Sequence, residues 1–341
     1  MTQRVAAIDC GTNSIRLLIA DIESNSDDLE RSRGSSGPAP SPRPALADVD
    51  REMRIVRLGE GVDRTGRLSE AALDRTMIAL REYAGLIAEA KPEAIRMVAT
   101  SATRDAENSS EFTERVVGVL GVAPEVISGD EEARLSFTGA TRELAGTPLA
   151  AEGACPPPYL VADIGGGSTE FVLGNARAAG SPLAGQPAAS RSVNIGCVRM
   201  TERHLHGDPP DKREVADTVA DIDAALALAA ADVPVDKANT LVGLAGSVTT
   251  VAGIALGLDA YDSERIHHSR VPAARVHQIA AGLLAMTRAE RAAIPVMHPG
   301  RVDVIGAGAL ILDRIMTRFG FAEVLVSEHD ILDGIAWSLV P

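Results

Sequence analysis

The segment Asp163-Ile164-Gly165-Gly166-Gly167-Ser168-Thr169-Glu170 brackets three consecutive glycines with two carboxylates. Glycines leave backbone N–H groups uncovered and free to converge on an anion. Asp163 and Glu170 are hard oxygen donors of the kind Mg²⁺ takes one or two at a time, keeping waters and substrate phosphates as its other ligands. A weaker version of the pattern lies at Asp9-Cys10-Gly11-Thr12-Asn13-Ser14. There an acid is followed by Gly11, Thr12, Asn13 and Ser14, whose N–H groups and hydroxyls suit phosphoryl oxygens. Three more segments could join such a site. Asp130, Glu131 and Glu132 open the run Ser128–Leu135. The first two complement a helix N-terminus; Glu132 stands out as a base, although spacing alone does not choose it. Arg104, in Thr100-Ser101-Ala102-Thr103-Arg104, is either a bidentate phosphoryl clamp or a surface arginine after a turn. Ala245-Gly246-Ser247 is either an anion site at a helix start or an ordinary strand–helix turn. The seven histidines lack ligand spacing, and Cys10 has no recognisable base nearby.

These residues need strands to aim them. Residues 4–21 read strand, glycine turn, strand, and so do residues 159–174. The two segments align without a gap over 5–20 and 159–174: Asp9 falls on Asp163, Gly11 on Gly165 and Ser14 on Ser168. Between and after them strands alternate with helices. Strands are expected at MRIVRLG, IRMVAT, PEVISG, SVNIG, 239–244 and 321–327, and helices at 70–90 (capped by Ser69), 111–120, 130–144, 211–232, 247–257, 272–287, 300–319 and 330–339. The class is α/β. Two related domains are expected, 1–128 and 129–341, facing each other across a cleft, with the final helix returning to the first. Residues 23–50 contain SRGSSGPAPSPRP and read as a flexible loop; 175–190 reads as a second loop of low complexity.

Composition bounds the partners. At about 150 residues per domain, 341 residues make roughly two. Hydrophobic residues are 45% and aromatics 3%, so the cores are aliphatic. Lys and Arg number 33 against 47 Asp and Glu, a net charge of −14. That excludes a general binder of nucleic acid or anionic membrane. A phosphate substrate then needs a metal, arginines or a backbone nest. Cys10, Cys155 and Cys197 have no CxxC spacing, so a reducing, cytoplasmic compartment is expected. Asp9 interrupts the first apolar run, and no stretch approaches the ~20 apolar residues of a membrane span, so neither a signal peptide nor a membrane anchor is expected.

Together, the DCGTNS and DIGGGSTE turns, SGDEEARL, TSATRD, GLAGSVTT, HPGRVDVIGAGALIL and VSEHDILDGIA resemble the exopolyphosphatase/guanosine pentaphosphate phosphatase (Ppx/GppA) family, in its short two-domain actinobacterial form. The resemblance implies two RNase H-like domains of the actin/Hsp70/sugar kinase superfamily. It assigns Glu132 as catalytic base, Asp163 and Glu170 as metal and water-positioning carboxylates, and Gly165, Gly166, Gly167, Ser168 and Thr169 as a phosphate loop. Asp9 with Gly11, Thr12, Asn13 and Ser14 forms the other loop, and Arg104 binds phosphate. The implied cofactor is Mg²⁺, with Mn²⁺ as its substitute, and the implied assembly is a homodimer. The implied reaction is hydrolysis of the terminal phosphoanhydride of inorganic polyphosphate. Removal of the 5′-phosphate of pppGpp to give ppGpp is the first alternative. A non-hydrolytic nucleotide or alarmone sensor is another, and a kinase of the same superfamily a third. Against the sensor stands Glu132, since a sensor needs no base.

Overall fold

The computed structural model describes residues 2–23, 46–142, 144, 147, 149, 152–175 and 187–340. The first half is built on β1 (Thr2–Cys10), β2 (Ser14–Glu23), β3 (Leu46–Ile55), β4 (Ala94–Ala99) and β5 (Glu125–Val126). They make one sheet in the order β3-β2-β1-β4-β5, with β1–β2–β3 antiparallel and β4 and β5 parallel to β1. Around them run α1 (Val62–Thr65), α2 (Glu70–Ala90), α3 (Ser101–Arg104) and α4 (Ser109–Leu120). α5 (Gly129–Thr141) then leads into the second half.

The second sheet contains β6 (Tyr159–Ile164), β7 (Thr169–Gly174), β8 (Ala189–Val193), β9 (Thr240–Leu244), β10 (Arg270–Pro272) and β11 (Glu323–Val326). Its order is β10-β11-β9-β6-β7-β8. Read from β8, this is the first sheet's order with one extra antiparallel edge strand. The helices here are α6 (Cys197–His204), α7 (Lys212–Asp232), α8 (Ala245–Ala255), α9 (Ser263–Ile266), α10 (Ala273–Ala285), α11 (Arg288–Ala292), α12 (Ile305–Phe319) and α13 (Ile331–Trp337). The architecture is α/β with two related domains. Among the described residues no helix is long and apolar enough to cross a membrane.

The repeat holds at the level of register. Asp9 pairs across β1–β2 with Arg16, and Asp163 pairs across β6–β7 with Glu170. Both turns close with the same bond: Gly11 N donates to Ser14 O at 2.9 Å, and Gly165 N to Ser168 O at 3.0 Å.

Each sheet buries both faces. One face of the first sheet packs Ile8, Ile15, Leu17 and Ile19 against α2 and α4, where Leu73, Met77, Leu80, Tyr83 and Phe112 repeat at helical spacing. Ser69 caps α2 by accepting from Ala72 N. The other face, Val5, Ala7, Leu18, Ala20 and Ile22, is covered by Ile331, Leu332, Ile335, Ala336 and Trp337 of α13. α13 thus returns to the first sheet, as expected. It crosses α5 where Gly139 and Gly334 leave no room: a Cβ on Gly334 would fall 2.0 Å from Leu135 O. α5 turns its other side, Ala133, Phe137 and Ala140, to the second sheet.

The expected 23–50 loop needs correcting. Glu23 ends β2, and Leu46–Asp50 belong to β3, because the β2 ladder supplies their backbone partners despite the polar side chains. Residues 24–45 lie outside the described residues, as do 176–186 of the second loop, whose end is taken by β8. The strand expected at PEVISG is only Glu125–Val126, and the helix expected at 300–319 is a short 3₁₀ turn, Pro299–Arg301, followed by α12.

Candidate active site

The two hairpin turns meet tip to tip. A Cβ on Gly166 would lie 2.9 Å from Thr12 Cβ, and one on Gly167 would lie 2.6 Å from Ser101 Oγ and 2.8 Å from Thr12 Oγ1. Only glycine permits that approach. Thr12 and Ser101 close the seam with a hydroxyl–hydroxyl bond of 2.8 Å.

The first turn of α6 shapes the second loop from behind. Cys197 N donates to Gly165 O at 3.0 Å, Val198 N and Arg199 N to Gly166 O at 2.9 and 3.1 Å, and Arg199 Nε to Gly167 O at 2.7 Å. A trans peptide sets its N–H opposite its C=O. With those carbonyls held on the α6 side, the trans peptides turn the N–H groups of Gly166 and Ser168, two residues of the cavity wall, away from α6. The sequence reading lacked α6, which has eight residues and no side-chain cap.

One cavity is lined by Asp9, Gly11, Thr12, Asn13, Ser14, Glu132, Asp163, Gly165, Gly166, Ser168 and Glu170. Of the other expected residues, Gly167 backs onto the seam. Thr169 is buried and donates its hydroxyl to Ile195 O at 2.6 Å. Arg104 does not line the cavity. Its Nη1 donates to Ile127 O at 2.8 Å and to Glu132 Oε2 at 3.2 Å, so in this structure it holds Glu132 rather than facing the wall. The wall also contains Ser247, from the strand–helix junction singled out as a candidate anion site, and Arg16 and Arg301, which the sequence reading gave no role. α8 begins at this wall without a side-chain cap, leaving first-turn N–H groups for an anion.

The carboxylates are crowded and buried. Asp9, Glu132, Asp163 and Glu170 are 4%, 7%, 6% and 1% exposed. Hydroxyls hold two of them: Ser136 donates to Asp163 Oδ2 at 2.6 Å, and Ser192 to Glu170 Oε1 at 2.7 Å. Burial first, then the charge of Glu170, pushes Glu132 well above the ordinary carboxylate range, against the pull of Arg104. Burial and the charge of Glu170 likewise raise Asp163. Burial raises Glu170, against the hydroxyls of Ser168 and Ser192. Asp9 receives Nε and Nη2 of Arg16 on Oδ2 at 3.0 and 2.8 Å, yet burial still leaves it raised.

This donor set fits a hard divalent cation. Asp9 Oδ1 and Asn13 Oδ1 are buried without a hydrogen-bond partner, and uncompensated buried carboxylates favour a cation or a proton. Among the described residues no three Asp, Glu, His or Cys side chains are grouped to hold a metal by themselves. A cation here would complete its shell with water and substrate oxygens, as Mg²⁺ habitually does.

The chain is similar to known proteins over nearly its whole length. The model of the Ppx/GppA phosphatase family matches residues 40–341. Exopolyphosphatase 2 of Mycobacterium tuberculosis is 48% identical, covering 98% of each chain. The crystal structure of an exopolyphosphatase-like protein superposes with a TM-score of 0.86 at 40% identity, over 99% of this chain and 98% of the other. The Aquifex aeolicus PPX-GPPA enzyme superposes with a TM-score of 0.73 at 30% identity, over 99% of this chain and 100% of the other.

Proposed function

The chain belongs to the Ppx/GppA phosphatase family, and we infer that it is an exopolyphosphatase, a hydrolase that releases phosphate from the end of inorganic polyphosphate. The observation that carries this reading is Glu132: a buried carboxylate on the wall of the same cavity as both glycine turns.

The terminal phosphoryl group sits between the turns, where N–H groups of Gly166 and Ser168 and the hydroxyls of Thr12, Ser14 and Ser168 surround its oxygens. Asp163 and Glu170 would hold Mg²⁺, which when bound supplies positive charge to the phosphoryl oxygens and offsets the carboxylates around it. Glu132 accepts a proton from a water whose oxygen attacks phosphorus in line with the bridging oxygen. The new P–O bond forms as the bridging bond breaks, and the shortened chain leaves with that oxygen. Arg104 fixes the orientation of Glu132. The chemistry is mostly positioning and charge stabilisation. The three cysteines are buried free thiols, which supports a cytoplasmic setting.

The test is phosphate release with Mg²⁺ from polyphosphates of graded length and from pppGpp, with Glu132→Gln alongside. We expect release from polyphosphate, and a fall in kcat of about 10²–10⁴-fold in the variant with KM little changed. Preference for pppGpp would replace the substrate; an active Glu132→Gln would remove the base.

A further inference from the structure

We propose that Arg199 is a positioning residue that couples closure of the two domains to the shape of the phosphate loop. The proposal rests on the hydrolase reading for its kinetic effect. Its geometry stands without it.

Arg199 sits in the first turn of α6, is 9% exposed, and spends its guanidinium on three elements. Nε donates to Gly167 O at 2.7 Å. Nη2 donates to Asp105 Oδ2 at 2.5 Å, and Nη1 pairs with Asp63. Gly167 belongs to the second hairpin. Asp63 lies in α1 and Asp105 directly after α3, both in the first half of the chain. None of Arg199, Asp63 and Asp105 lines the catalytic cavity, so each acts through what it holds.

The guanidinium is planar, and its donors point in fixed directions. Once Asp63 and Asp105 seat the two terminal nitrogens, the direction of Nε is set, and with it the place of the Gly167 carbonyl. The peptide that follows turns the Ser168 N–H the opposite way, into the cleft. Docking of the first domain therefore decides where one donor of the phosphate nest points. Asp105 also neighbours Arg104, which holds Glu132, so the same ion pair steadies the partner of the base.

Neighbouring contacts make the clamp a built feature. Asp63 also receives Nε and Nη2 of Arg203 at 2.7 and 2.8 Å. Gly61 N donates to both oxygens of Glu202 at 3.1 and 3.2 Å. If the domains part, Arg199 loses both carboxylates and the Gly167 peptide is free to rotate. Catalysis and closure then belong to one state, as expected for a cleft that must exclude water.

Arg199→Lys and the milder Asp105→Asn test this with two readouts. The first is kinetics on polyphosphate per folded molecule: kcat should fall on the order of 10²-fold, the cost of a misplaced donor, with KM changed much less. The double variant Arg199→Gln/Asp105→Asn should be no worse than Arg199→Gln alone. The second is hydrogen exchange without substrate: amides of residues 166–168 should exchange faster in both variants while those of α7 keep wild-type protection. Wild-type kcat per folded molecule, additive losses, or unchanged exchange in the loop would overturn the proposal. A wild-type protein inactive on polyphosphate whose variants still loosen residues 166–168 would overturn the substrate reading and leave the coupling standing.

Discussion

The hairpins β1–β2 and β6–β7 each carry an aspartate at the end of the first strand and the same N–H···O closure in the turn. They differ in the residue directly across the ladder. Asp9 faces Arg16, which holds its carboxylate and is shared with Asp330 at the start of α13. Asp163 faces Glu170, and the hydroxyls of Ser136 and Ser192 donate to the two carboxylates. One hairpin meets its aspartate with an arginine from its own ladder, although Asp9 Oδ1 stays unpartnered. The other sets two buried carboxylates side by side. A single register position therefore separates two copies of one unit: one sets its aspartate against an arginine, the other against a second carboxylate.

Removing that arginine should give the largest effect. Arg16→Gln leaves Asp9 and Asp330 buried without their cation. Breaking such a pair costs about 3–5 kcal/mol, read as a Tm lower by on the order of 10 °C. An unchanged Tm would mean that the first hairpin does not depend on its ion pair.

Glu170→Gln sharpens the contrast from the other side. It removes one of two facing carboxylates, so kcat should fall about 10²–10³-fold, the usual cost of losing one charge-stabilising group. The metal-free protein should at the same time melt higher, because a buried like-charge contact is gone. Wild-type turnover would detach Glu170 from the reaction.

The smallest effect concerns pH. Glu132, Asp163 and Glu170 have folded-state pKa values raised above their unfolded ones. The folded state then binds more protons than the unfolded one, so these groups cost stability as pH rises from about 4 through their raised values. Mg²⁺ should offset that cost. Melting curves in EDTA and in Mg²⁺ should therefore differ more at pH 8 than at pH 5, by a few degrees. An equal gap at both values would count against these carboxylates as the cation's holders.

The second hairpin was legible because its chemistry is local. Asp163 and Glu170 flank one short turn, and strand register alone puts them opposite each other. Arg16 was within reach as well, since the alignment that sets Asp9 on Asp163 sets Arg16 on Glu170, but the reversal of charge concealed the correspondence. Ser136, Ser192 and Arg199 reach their partners across 27, 22 and 32 residues, from elements that only tertiary packing brings near. No periodicity reports such contacts. Arg104 carried a signal for its charge, but its partner Glu132 comes from α5, 28 residues on, and that pairing fixes where the charge is spent. The helices with long apolar stripes, α2 above all, were read closely. α6, short and without a side-chain cap, was not.

The return of α13 to the first sheet bears on how the protein is made. Val5, Ala7, Leu18, Ala20 and Ile22 leave the ribosome about 300 residues before the segment 331–337 that covers them. Arg16 and Asp330, joined across the same junction, are 314 positions apart. Contacts of such separation form late, after the intervening chain has paid its loop-closure entropy. During synthesis one face of the first sheet is thus an open apolar surface, a target for chaperones or for misassembly, until the whole second domain has been translated. The domain that comes first in the sequence is the last to be completed.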